Sequence, residues 1–202
     1  PTTLLSSAAS DVYKRQEQCR GIIRGLLNFA RPTGSERGSM NLAEAISETA
    51  YLMEKNLKLA GVELDIAEET SPFVFGNRNE LEQVFFNLLA NAIDSMPDGG
   101  RITVRLVDGG PGELMVTFSD TGEGIPRDNH DRVFLPFFTT KDYGKGTGLG
   151  LSIVARIVHE HGGRIELDSG PGQGTEFRLW FPRARGGPHT RTGFGLLAEE
   201  ED

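Results

Sequence analysis

The sequence predicts an α+β fold, a two-layer α/β sandwich with three helices on one face of a mixed sheet, preceded by a single long helix. Three observations carry this expectation. Helical and strand periodicities alternate between residues 40 and 183, the strands fall mostly in hairpins, and one apolar helix stripe at 17–32 stands ahead of the rest with nothing local to cover it. With 202 residues, 37 % hydrophobic and 25 % charged, the chain has enough material for one core plus appendages.

The elements follow in order. Residues 1–16, PTTLLSSAASDVYKRQ, have no periodicity and resemble a translated adapter, so we set them aside as a non-native or disordered leader. From Glu17 onward Cys19, Ile22, Ile23, Leu26, Leu27 and Ala30 recur at three- and four-residue steps, which is one face of a helix. Pro32 ends it, because the residue before a proline is pushed out of the helical region. TGSERGS at 33–39 reads as a linker, and the globular domain is expected over 40–183. Residues 41–59 read as one helix after a very short strand. Residues 62–67 alternate as a half-buried strand does, and 73–75 form a shorter run ending at Gly76.

Asn77 and Glu80 then have the spacing of a capping box, followed by the apolar face Leu81, Val84, Phe85, Leu88, Leu89, Ala92, Ile93 and Met96. PDGG at 97–100 closes this helix. Strands are expected at 101–107 and 114–119 around the turn-rich DGGPGE. A further core helix at 149–161 ends at Gly162 and Gly163, with strands at 164–168 and 175–181 behind it. The tail, 184–202, is Gly-, Arg- and Glu-rich and reads as disordered.

Composition excludes several function classes. A net charge of −8 repels phosphate backbones, so no nucleic-acid partner is expected. The single cysteine, Cys19, rules out an internal disulfide and a cysteine zinc cluster, and it suits a reducing compartment. No run approaches the roughly 18 to 20 apolar residues of a membrane-spanning helix, so the piece in hand reads as soluble and cytoplasmic, without prejudice to a membrane anchor elsewhere in a parent protein.

Four clusters carry candidate chemistry. Glu80, Gln83, Asn87, Asn91 and Asp94 form a polar stripe beside the apolar face of the 78–96 helix. A solvated face is one reading. Asn, however, has poor helix propensity, and two of them one turn apart suit side-chain carbonyls that serve as hard, neutral ligands for Mg²⁺. At Asp120 a strand runs into DTGEGIP, where Gly122 and Gly124 permit a tight turn against a ligand and the carboxylate can accept from an exocyclic amine; a plain Asp-Gly turn is the alternative. FLPFFTTKDYGKGTGLGL, 134–151, leads through Gly144, Gly146, Gly148 and Gly150 into a helix whose first amides can hold phosphate oxygens, with Lys141 and Lys145 supplying positive charge. GPGQGTEF at 170–177 puts Thr175 at the start of the last strand. No Walker A pattern occurs.

In this order and spacing, the four clusters resemble the N box, the first glycine box, the F box with the second glycine box, and the third glycine box of sensor histidine kinases. The chain is thereby identified as resembling the catalytic ATP-binding domain of the superfamily that also holds gyrase, Hsp90 and MutL, whose Bergerat-type fold is a three-helix layer on a mixed sheet. The resemblance implies ATP and Mg²⁺ as cofactors. It implies that Asn91 is the metal ligand, that Asn87 sits by the phosphates, and that Asp120 binds the adenine amine with Gly122, Gly124 and Thr175 close to the base. Lys141 and the amides of Gly146, Gly148, Leu149 and Gly150 would form the lid over the triphosphate.

The ATPase branches carry a Glu one turn before the metal-binding Asn; here that position is Asn87, which cannot act as a base near neutral pH, so transfer to a protein is favoured over hydrolysis. GIIRGLLNFARP at 21–32 resembles the second helix of the dimerisation and phosphotransfer hairpin. That implies a homodimer, a response-regulator receiver domain as partner, and an acceptor histidine and its acidic neighbour that lie outside this chain. None of His130, His159, His161 or His189 has the acceptor's context; His159 and His161 read as helix-end cations or solvent-facing groups. Asp94 stands where some family members have a Lys that reaches the phosphates. The alternatives on the same fold are a serine kinase of the anti-sigma-factor type and an inactive, kinase-like interaction module.

Overall fold

A computed structural model describes residues 37–141 and 146–184. The leader, the 17–32 helix, most of the linker, Lys145 and nearly all of the tail lie outside these residues.

The described elements run β1 (Gly38–Asn41), α1 (Leu42–Leu52), α2 (Glu54–Ala60), β2 (Val62–Glu68), β3 (Phe73–Gly76), α3 (Arg78–Asp94), β4 (Gly100–Asp108), β5 (Glu113–Asp120), a 3₁₀ turn (Arg127–Asn129), α4 (Gly150–Glu160), β6 (Arg164–Ser169) and β7 (Thr175–Pro182). The main sheet has the order β2-β4-β5-β7-β6, and β1 pairs with β3 in a separate two-stranded ribbon. β2 lies parallel to β4, whereas the β4–β5, β5–β7 and β6–β7 pairs are antiparallel, so the sheet is mixed as expected. A parallel pair needs a long crossover. Here β3 and α3 supply it, which places α3 across the sheet.

β5 alternates strictly between buried and half-buried positions. Leu114, Val116 and Phe118 therefore point with Ile102, Val104 and Leu106 of β4 and Phe177, Leu179 and Phe181 of β7 into one core. From the helical layer Leu81, Val84, Phe85, Leu88, Leu89 and Ala92 of α3 meet them, flanked by Leu42 and Ile46 of α1 and Val154, Ile157 and Val158 of α4. Side chains of this size contribute about 1.5–3 kcal/mol each when fully buried, so this layer contact dominates the fold's stability.

Three local readings are corrected. The 41–59 segment is two helices, broken at Met53, whose backbone leaves helical geometry at φ −96°, ψ 3°. One turn earlier the buried Thr49 hydroxyl donates to the Ala45 carbonyl at 2.8 Å, a back-bond that bends helices. The break lets Met53 and Leu57 both reach the core. The ribbon also begins two residues before Met40, because Gly38 and Ser39 pair with Gly76 and Phe75. Finally, His161 is neither a cation nor in solvent. It is buried; its Nδ1 lies 2.8 Å from the Ile157 carbonyl and its Nε2 accepts the Asn77 amide at 3.0 Å. The neutral ring with its proton on Nδ1 satisfies both contacts. His159 is exposed, as read.

Candidate functional site

α3 organises the site because its C-terminal half carries Asn87 and Asn91, which face the start of α4, and Asp94, which meets Lys141. Asn77 caps the helix by accepting the Glu80 amide at 3.3 Å; its own backbone amide donates to His161 Nε2 at 3.0 Å. Asn87 and Asn91 are half-buried, not solvated, with Gln83 and Glu80 similarly covered. The stripe is thus partly covered from Glu80 to Asn91 and is exposed at Asp94.

The N-terminus of α4 lies against the two amides. A Cβ built on Gly150 would come 3.6 Å from Asn87 Oδ1 and 3.6 Å from Asn91 Nδ2. No side chain caps α4, so its first-turn amides are donors without intrahelical partners, directed at an anion-compatible spot. Asn87 Nδ2 is itself buried with no hydrogen-bond partner among the described residues. Such an orphan donor costs about 1–3 kcal/mol unless a ligand meets it. The set therefore fits a phosphate-bearing group with its cation: uncapped helix amides for the anion, and side-chain amides from Asn87 and Asn91 that offer neutral carbonyl oxygens to a hard cation.

Below the amides α3 meets the end of β5. The alternation that buries Leu114, Val116 and Phe118 carries Asp120 to the same side, and it is 8 % exposed. Gly122 N–H donates to Asp120 Oδ1 at 2.9 Å. The Ser95 hydroxyl has one proton, shared between the Ala92 carbonyl at 2.8 Å and Asp120 Oδ1 at 3.4 Å. Burial pushes the Asp120 carboxyl above its ordinary value, while the amides of Gly122 and Thr175 and the Ser95 hydroxyl pull the other way. Thr175 is directly opposite Asp120 in the β5–β7 register, and its hydroxyl lies 3.1 Å from that of Ser169. At Gly122 a Cβ would fall inside the Ser95 hydroxyl; at Gly124, φ +73°, it would strike the Gly170 carbonyl. Close backbone approach, rather than a simple turn, thus accounts for both glycines.

The third group comes from the loop after the 3₁₀ turn. Lys141 Nζ lies 2.6 Å from Asp94 Oδ2, three residues beyond Asn91 on α3. Phe137 N–H donates to the Gly148 carbonyl at 2.8 Å, and Gly148 has φ +65° with no room for a Cβ beside Phe137. Phe137 also takes a positive φ, +67°, a conformation that strains a bulky residue. This cross-link fixes the base of the glycine-rich loop where α4 begins. His130 Nε2 sits 3.1 Å from the Ile125 carbonyl, off this stripe.

Asn87, Asn91, Asp120, Gly122, Gly124, Lys141, Gly146, Gly148, Leu149, Gly150 and Thr175 thus gather around the C-terminal half of α3 and the ends of β5 and β7. Two contributors escaped sequence reasoning. Ser95 looks like an ordinary residue after a helix, and Ser169, which accepts the Ile125 amide at 2.8 Å and donates to the Gly174 carbonyl at 2.7 Å, looks like an ordinary strand end. Strand register brings Ser169 opposite Thr175, and the meeting of the α3 end with the β5 end brings Ser95 to Asp120.

Comparison with known proteins adds an independent result. Residues 76–185 match the family model described as histidine kinase-, DNA gyrase B-, and HSP90-like ATPase. Sporulation kinase A of Bacillus subtilis (strain 168) is 37 % identical over 174 residues, covering 85 % of this chain and 28 % of that protein. The chain therefore spans under a third of that relative. Among solved structures, the nucleotide-free catalytic domain of the histidine kinase ThkA matches with a TM-score of 0.66 and 32 % identity, covering 74 % of this chain and 99 % of that one. ThkA in complex with the response regulator protein TrrA matches with a TM-score of 0.71 and 26 % identity over 89 % of this chain and 52 % of that one. Among the described residues no helix is long and apolar enough to cross a membrane.

Proposed function

We propose, for a chain that belongs to the family of histidine kinase-, DNA gyrase B- and HSP90-like ATPases, that it binds Mg-ATP along α3 as the catalytic domain of a cytoplasmic sensor histidine kinase. The γ-phosphoryl group goes to a histidine and then to an aspartate of a response regulator. The observation that supports the nucleotide site is the uncapped start of α4 lying against the Asn87 and Asn91 side chains of α3.

Each residue then has a task. Asp120 accepts the adenine amine, with the Gly122–Gly124 backbone and Thr175 beside the base. The α4 amides from Gly150, the preceding Gly146, Gly148 and Leu149, and the Lys141 ammonium hold the phosphate oxygens. Asn91 holds Mg²⁺ through its carbonyl, and the metal, when bound, screens the charge of the transferring group. Asn87 offers an amide where hydrolysis needs a base, so water is not activated and a positioned protein acceptor receives the phosphoryl group. A homodimer and a receiver-domain partner complete the proposal; the ThkA–TrrA complex supports the second.

Calorimetry on the purified chain tests the site. ATP binding should require Mg²⁺, and Asn91→Ala should weaken Mg-ATP by about tenfold or more, 1.4 kcal/mol, while removing the metal dependence. Wild-type binding that is equally tight in excess chelator sinks the assignment.

A further inference from the structure

Asp94 has no local reason to be acidic. It is the last residue of α3, a helix with no basic residue in its final turn, so its carboxylate faces the negative end of the helix dipole. Its partner in the described structure is Lys141, at 2.6 Å. The pair is open to water, with side-chain exposures of 34 % for Lys141 and 55 % for Asp94, and an exposed pair of this kind is weak and readily exchanged. The Lys141 stem lies beside Gly146, where a Cβ would come 3.4 Å from Lys141 Cδ, and its backbone is held by its amide, which donates to the Thr139 hydroxyl at 3.2 Å. The ammonium can therefore swing between partners while its backbone stays against the glycine-rich loop.

We propose that Asp94 is a built-in competitor for Lys141: it holds the ammonium when no nucleotide is present, and the phosphates of an incoming nucleotide must take Lys141 from it. Asp94 thereby sets the affinity of the site for polyphosphate without contacting the ligand favourably. The inference rests on the nucleotide reading above and assigns Asp94 a role in tuning affinity. It requires three linked behaviours. Loss of the Asp94 charge tightens binding of phosphorylated ligands. Adenosine, lacking phosphates, is unaffected. The gain passes through Lys141, so it disappears when Lys141 is absent.

Calorimetric titration of the full chain with Mg-ATP and with adenosine tests all three, using Asp94→Asn, Lys141→Met and the double variant. Asp94→Asn should lower the Mg-ATP dissociation constant by about fivefold, leave adenosine unchanged, and have less than a twofold effect in the Lys141→Met background. Circular dichroism confirms folding, which these exposed positions leave intact. Weaker Mg-ATP binding by Asp94→Asn would make Asp94 a ligand-side group and overturn the proposal, as would no change. An undiminished gain without Lys141 overturns it too, because plain repulsion between Asp94 and the phosphates then suffices. A wild-type chain that binds no nucleotide overturns the site reading itself, whereas wild-type binding with any of the contrary variant results overturns the competitor alone.

Discussion

At the scale of single residues, Asp120 shows stability and binding set against each other. Its carboxylate is desolvated because strand alternation turns it toward the core, and the Gly122, Thr175 and Ser95 contacts only partly offset this. An acid whose folded pKa lies above its ordinary 3.8 costs the fold stability once it ionises. The cost is absent below that ordinary value, grows as pH rises through the folded value, and stays constant above it. Asp120→Asn should therefore raise the melting temperature of the ligand-free chain at neutral pH, by about 2–4 °C if about 1 kcal/mol is recovered, while adenosine binding is lost. A lower melting temperature in scanning calorimetry would show that the Gly122 and Ser95 bonds outweigh the burial. The same group dictates a pH dependence of recognition. Only the ionised carboxylate is acceptor-only toward an amine, so the wild-type affinity for adenosine, followed by calorimetry, should fall on acidification through the folded pKa.

At the scale of elements, the joint between the start of α3 and the end of α4 depends on one imidazole. His161 takes the Asn77 amide on Nε2 and meets Ile157 with Nδ1, and Gly76 leaves the ring room, since a Cβ there would sit 2.6 Å from His161 Cδ2. His161→Leu leaves the buried Asn77 N–H without its acceptor and should cost about 1–3 kcal/mol, seen as a lower urea midpoint at unchanged slope; a surface histidine would leave the midpoint where it is. This joint also marks how far the sequence could be read. The helix face from Leu81 to Met96, the Asp120 strand end and the glycine-rich approach to α4 were legible because each is a local pattern of period, cap or turn. His161 was misread because its neighbourhood, HEHGG, is a helix end by local rules while its partner lies 84 positions away. The break at Met53, the Ser95 contact and the Asp94–Lys141 pair were invisible for the same reason: each depends on which surfaces the sheet order brings face to face.

At the scale of the whole molecule, one choice remains between acceptors, and the fold itself permits either. The sheet, α3 and α4 position a nucleotide, and nothing in that layer distinguishes a histidine acceptor from a serine. What distinguishes them is the segment at 17–32, whose apolar stripe calls for partner helices, and the family resemblance that supplies a hairpin bearing an acceptor. The chemistry of the product separates the two cleanly, because a phosphoramidate on histidine is acid-labile and alkali-stable, whereas a phosphate ester on serine has the reverse behaviour. Incubated alone with labelled Mg-ATP, this chain should acquire no label, since none of its four histidines has an acceptor's surroundings and Asn87 activates no water. Mixed with a dimeric helical hairpin that carries an exposed histidine followed by an acidic residue, it should transfer a label that is lost in acid and retained in alkali, and Asn91→Ala should abolish that transfer. Acid-stable label on serine or threonine, with or without the hairpin, would instead assign the same nucleotide site to a serine kinase, leaving the stripe on α3 intact and the acceptor reading overturned.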